Sequence, residues 1–148
     1  MIIHENMNEI LIASQNPGKI REYRAMLEPL GYVVRSLLDY PDFPEIAETG
    51  STFSENARLK AEAVSRRFRM PCLADDSGLE VEALGGCPGV RSQRYSPEGT
   101  APENRAKLLF ELQGKTDRRA RFVCVIVHLS EEGDFREMSA KELEAIFE

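Results

Sequence analysis

Apolar positions along the chain fall into two kinds of run, short and continuous or spaced by three and four, and the two kinds alternate. Ile10-Leu11-Ile12-Ala13 is continuous, so residues 9–13 predict a short buried strand. Ser14-Gln15-Asn16-Pro17-Gly18-Lys19 is a turn by composition. It leads into a helix in which Ile20, Tyr23, Met26, Leu27 and Leu30 keep helical spacing and Gly31 supplies the stop. Residues 32–36 predict a second strand, and residues 37–44 a loop or short helix broken by Pro41 and Pro44. A long helix follows, with Ser51 or Thr52 as N-cap, Glu55 as capping-box partner, and Phe53, Ala57, Ala61, Val64 and Phe68 on its apolar side. Pro71 ends it near Arg69.

Cys72-Leu73-Ala74 predicts a third strand that ends at Asp75-Asp76. Residues 79–84 alternate apolar with acidic and fit either a strand or a helical turn. Residues 85–90 are a glycine-rich turn, 97–102 a mobile loop and 103–112 a helix. Residues 120–129 are β-branched and nearly continuous, which predicts the strongest strand and a central place in its sheet. A hairpin-like turn at 130–134 precedes a last helix over 138–147, capped by Ser139. Strands alternating with helices define an α/β chain, and 148 residues without a repeat make one domain.

Composition narrows the partners more than the fold. A net charge of −6 excludes a nonspecific grip on nucleic acid or on an anionic membrane, yet leaves a nucleotide substrate open. Cys72, Cys87 and Cys124 are odd in number and lack metal spacing, so they read as reduced, mostly buried thiols of a cytoplasmic protein. No apolar run is long enough to span a bilayer, and the first residues lack the pattern of a signal peptide. With Met7 behind them, residues 1–6 are a candidate N-terminal extension. His4 and His128 have no partnered Ser or Cys setting, so a hydrolase triad is discounted and His128 reads as structural.

The candidate chemistry gathers at Asp75-Asp76-Ser77-Gly78. Asp, Ser and Gly all favour turns, so a turn explains the stretch as well as a divalent cation does. Asp75 and Asp76 cannot both ionise cheaply without a cation nearby. The loop over Ser14, Gln15, Asn16, Pro17, Gly18 and Lys19 joins a strand to a helix start, where unsatisfied N–H groups, the helix dipole and a lysine favour phosphate; a plain helix cap fits it too. Glu48 lies just before a helix cap, free to reach a metal, though one solvated acid among 25 fits it too, and Asn56 and Lys60 share one helical face. Arg91 and Arg94 put two cations near the acidic centre.

Five stretches together resemble the Ham1-type inosine/xanthosine triphosphate pyrophosphatase family. They are Ser14 to Lys19, Glu48-Thr49-Gly50-Ser51-Thr52-Phe53-Ser54-Glu55-Asn56-Ala57, Ala74-Asp75-Asp76-Ser77-Gly78-Leu79, Leu84-Gly85-Gly86-Cys87-Pro88-Gly89-Val90 with Ser92 and Arg94-Tyr95, and Ala120-Arg121-Phe122-Val123-Cys124. The resemblance implies an elongated two-lobed α/β fold with a mixed sheet flanked by helices. It implies Mg²⁺-dependent hydrolysis of ITP, XTP or dITP to the monophosphate and pyrophosphate, by a homodimer. Ser14, Gln15, Asn16, Pro17, Gly18, Lys19, Asn56, Lys60 and Ser77 are then expected to bind substrate. Glu48 and Asp76 are expected to hold the metal, and Asp76 with Asp75 to be catalytic.

The sequence departs from the family after residue 129. A glycine-rich segment with a Phe-Gly-Tyr-Asp-Pro core and a later Ser-His-Arg element are not in it, and Gly133-Asp134-Phe135 runs straight into a stretch like the family's late helix entry. Part of the second lobe is therefore expected to be missing, with the phosphate and metal half intact and base selectivity weakened. The alternatives are a catalytically silent nucleotide-binding or dimerising remnant, and a Maf-type pyrophosphatase, which fits the residues 74–79 and 85–95 less well.

Overall fold

The computed structural model describes residues 8–138. Strands are β1 (Glu9–Ile12), β2 (Val33–Ser36), β3 (Cys72–Val81), β4 (Ala120–Leu129) and β5 (Phe135–Met138), and helices are α1 (Pro17–Leu27), α2 (Phe53–Phe68) and α3 (Ala101–Glu111). They form one mixed sheet in the order β2-β1-β3-β4-β5. β1 is parallel to β2 and β3, whereas β4 is antiparallel to both β3 and β5. The α/β class expected from the sequence is the observed one.

Both faces of the sheet are covered at β1 and the start of β3, which is why those stretches are runs of apolar residues rather than alternations. Successive side chains point to opposite faces. Ile10, Ile12, Leu73 and Ile126 therefore meet Ile20, Tyr23 and Leu27 of α1 on one side. Leu11, Cys72, Ala74, Val127 and Leu129 meet Ala57, Ala61 and Val64 of α2 on the other.

Local chemistry sets the helix ends. Asn16 caps α1, its Oδ1 accepting from the amides of Gly18 and Lys19, and Pro17 takes the first helical position. The helix thus starts three residues earlier than the apolar spacing predicts. Thr52 Oγ1 accepts from the Glu55 amide at 3.1 Å, while the Glu55 carboxylate accepts from the Ser51 amide at 2.8 Å, one residue before the cap. Thr100 caps α3, so the expected loop over 97–102 is already helical by Ala101.

Three expectations are corrected. Asp75 and Asp76 lie in the middle of a strand, not at its end, because β4 pairs with β3 without interruption from Cys72↔Leu129 to Val81↔Ala120. That pairing overrides the poor strand propensity of Asp, Ser and Gly. β3, not β4, is central in the sheet. Cys72 is buried, but Cys87 and Cys124 are exposed; all three are free thiols. Met138 ends β5, and the rest of the helix expected over 138–147 lies outside the described residues. Among the described residues no helix is long and apolar enough to cross a membrane.

One mismatch in strand length opens the site. β1 stops at Ile12, opposite Leu73, but β3 continues for eight residues to Val81. Among the described residues β5 pairs with β4 only as far as Ile126, opposite Asp75, so beyond Asp75 β3 and β4 form a two-stranded arm, with a 3-10 turn over Gly89–Arg94 laid against it. Ser92 fixes that turn, its Oγ accepting from the Leu79 amide and donating to the Gly89 carbonyl.

Candidate active site

Where β1 leaves β3, a pocket of about 570 Å³ opens. Ser14, Gln15, Asn16 and Lys19 line it from the β1–α1 joint, Glu48 from the loop before α2, and Lys60 from α2. Asp76 and Ser77 line it from β3, and Gln93 and Arg94 from the 3-10 turn. Pro17 and Gly18 build the first turn of α1 behind the lining. The Gly18 and Lys19 amides, expected to be unsatisfied, are taken by Asn16 Oδ1, so the positive contribution here comes from the Lys19 side chain and the helix dipole.

Asp76 points to the α2 face and is 7% exposed. Its Oδ2 accepts from Asn56 Nδ2 at 3.2 Å, and its Oδ1 lies 3.8 Å from Lys60 Nζ. Asn56 is fully buried and also accepts from the Gly50 amide at 2.7 Å, so one side chain ties the loop before α2 to the acidic centre. Lys60 Nζ lies 2.5 Å from Glu48 Oε1 and donates to the Asp75 carbonyl at 2.9 Å. Arg94 reaches the same loop, with Nη1 3.5 Å from Glu48 Oε2 and Nη2 donating to the Glu48 carbonyl. Arg91, the other cation expected here, does not line the pocket. Two carboxylates therefore converge on one cationic position. Burial raises the proton affinity of Asp76 above that of an ordinary aspartate, and Lys60 and Asn56 oppose the rise.

Asp75 lies elsewhere. As the neighbour of Asp76 in an extended strand it faces α1. There its Oδ1 pairs with Lys19 Nζ, and its Oδ2 accepts from Tyr23 Oη at 2.6 Å. The two adjacent carboxylates are thus separated by the sheet itself.

The model of the Ham1 family matches residues 10–144. The chain belongs to the Ham1 family. A dITP/XTP pyrophosphatase of Geobacillus kaustophilus is 57% identical to this Ham1 chain over 123 residues, covering 81% of it and 60% of the relative. One of Exiguobacterium is 56% identical over 119 residues, covering 80% and 61%. The Ham1 protein of Staphylococcus aureus has a TM-score of 0.78 at 42% identity, and that of Coxiella burnetii 0.80 at 39%; each comparison covers 87% of this chain, and 67% and 68% of theirs. The chain spans about three fifths of the length of the curated relatives it matches.

Within this Ham1 chain, sequence reasoning misses Gln93 on the pocket wall and Tyr23 behind it. The helical spacing of Tyr23 assigns it to the core, and it does pack there. The available signal is its place four residues after Lys19, on the same face of α1.

Proposed function

We propose that this chain hydrolyses non-canonical purine nucleoside triphosphates, such as dITP and XTP, to the monophosphate and pyrophosphate with Mg²⁺ as cofactor. The observation that carries the reading is the convergence of Glu48 and Asp76 on the Lys60 ammonium, in a pocket that Ser14 and Lys19 share. Lys60 already occupies a cation position between two carboxylates. Hard oxygen donors, few in number, suit Mg²⁺, which takes its remaining ligands from phosphate and water. Among the described residues no cluster of three or more His, Cys, Asp or Glu offers a fuller cage. Glu48 and Asp76 would hold the ion, and when bound it offsets phosphate charge and polarises the anhydride under attack.

The chain's own groups supply the rest. A water adds its oxygen to phosphorus as the α–β anhydride bond breaks, and its proton passes to Asp76. A buried carboxylate of raised proton affinity is a better acceptor than an exposed one. Lys19 and the start of α1 favour the negative charge that develops on the leaving pyrophosphate. Asn56 holds Asp76 in place from behind.

Pyrophosphate release from dITP, XTP and ATP with Mg²⁺ tests this. Asp76→Asn and Glu48→Gln are each expected to lower turnover by at least about 100-fold, the scale of losing a general base or a metal ligand. The ratio of dITP to ATP turnover reads the expected weakening of base selectivity. Folded protein that binds nucleotide but releases no pyrophosphate would reject hydrolysis and favour the silent remnant.

A further inference from the structure

Lys19 is the pocket's phosphate-side cation, and a lysine on four rotatable bonds has no fixed position of its own. Here it has one. Its ammonium rests on Asp75 Oδ1 while the side chain still lines the pocket. Asp75 is buried on the α1 face, and its second oxygen is taken by the hydroxyl of Tyr23, itself buried. Lys19 and Tyr23 stand one turn apart on α1, so the helix presents both groups to one carboxylate on β3.

That division of the carboxylate has a consequence. Without the Tyr23 hydroxyl, Oδ2 would be a buried anionic oxygen with no donor. The donor already on this carboxylate is Lys19. The carboxylate would then draw the ammonium inward with both oxygens, away from the pocket. We propose that Tyr23 is a positioning residue for triphosphate binding: by occupying one oxygen of Asp75 it limits that carboxylate to a one-sided hold on Lys19 and leaves the ammonium presented to phosphate. Asp75 is accordingly a positioning residue as well, not a second base beside Asp76. The inference rests on the reading of the pocket as a triphosphate site.

The test is a double-mutant cycle read by calorimetric affinity for Mg²⁺-tripolyphosphate, a probe with no base and no dependence on turnover. Tyr23→Phe keeps the ring and its packing. It is expected to weaken binding about 10-fold in the parent chain, the scale of one hydrogen bond to a charged group. In the Lys19→Met background the same substitution is expected to change affinity less than about 2-fold, because its route of action is gone. Asp75→Asn, taken through the same cycle, should show the same dependence on Lys19, which guards against a Tyr23 variant that folds poorly. Equal weakening in both backgrounds would make Tyr23 a packing residue and overturn the proposal. So would parent-like binding by Tyr23→Phe when Lys19→Met itself binds weakly. If Lys19→Met binds as the parent does, or the parent does not bind, the triphosphate reading fails first and the positioning role falls with it.

Discussion

Asp75 and Asp76 are adjacent in sequence, yet the extended backbone of β3 sends one carboxylate to Lys19 and Tyr23 and the other to Asn56 and Lys60. Each therefore carries its own consequence. Burial raises the Asp76 pKa above the ordinary aspartate value of 3.8, so the folded chain holds this proton more tightly than the unfolded chain does. Stability then falls as pH rises from the unfolded value through the folded one, and above that window the ionised carboxylate is a standing cost in metal-free protein. Asn has the shape of the neutral acid. In EDTA, Asp76→Asn is expected to raise the melting temperature at pH 8 by about 3 °C, the shift that roughly 1 kcal/mol gives a chain of this size. The gain should shrink towards pH 4, as protonation of Asp76 itself becomes more favourable. Calorimetry at the two pH values checks it, and a lower melting temperature at pH 8 would refute the sign. Local motifs, read with the family resemblance, single out Asp75, Asp76, Lys19 and Lys60 in the sequence. Their division between two faces was not legible, because it depends on the backbone being extended at residues whose propensities favour a turn. Tyr23 was hidden for a different reason: an amphipathic side chain at a core position reads as core, and only its hydroxyl meets the site.

Among the elements, β1 and β2 were legible as short runs between turn residues, and α1 and α2 because each keeps helical spacing, α2 with a capping signal as well. β3 was not, since Asp, Ser and Gly after Ala74 mark a stop in any local reading. It extends because β4 supplies partners along its whole length, a nonlocal cause that no window of sequence contains. Gly78 shows what that extension demands. A Cβ there would lie 2.4 Å from the Gly89 carbonyl oxygen and 2.5 Å from Ser92 Oγ, both in the turn that rests on the arm. Neither atom can withdraw without breaking the Ser92 bonds to Leu79 and Gly89. Gly78→Ala is therefore expected to cost about 2–3 kcal/mol, in the range of overpacking a close contact. Gly85, with φ of +64° and nothing near its missing Cβ, isolates the backbone contribution, and Gly85→Ala should cost only about 1 kcal/mol. Urea midpoints at constant m-value measure both. A Gly85→Ala penalty as large as that of Gly78→Ala would remove close approach as the explanation.

Across the whole molecule, stabilisation is unevenly placed. The α/β class was legible from alternating runs, but the strand order was not, since apolar runs of equal quality do not name their partners. The order decides where the core sits: β1 and the first residues of β3 lie between α1 and α2, with Leu11, Cys72 and Leu73 fully buried. The arm is different. α3 contains no buried residue, Leu109 and Phe110 on it are 60% and 70% exposed, and Phe122 on β4 is 73% exposed. Opening a segment that buries little apolar area requires little free energy, whereas opening β1 requires separating both helix layers. Amide hydrogen exchange should therefore be graded along the chain. Amides of β1 and of residues 72–74 are expected to exchange only through global unfolding. Those of α3 should exchange at least about 100-fold faster, through local opening. The pocket spans the two regions, because Ser14 and Lys19 belong to the stable part while Gln93 and Arg94 ride on the turn against the arm. Mg²⁺-tripolyphosphate should then slow exchange in β1 by the full stabilisation that binding confers, and in residues 89–95 only as far as their local opening releases the ligand. Uniform protection across β1 and α3 without ligand would show that the exposed apolar side chains of the arm are covered in solution, and that stability is not graded in the way their burial dictates.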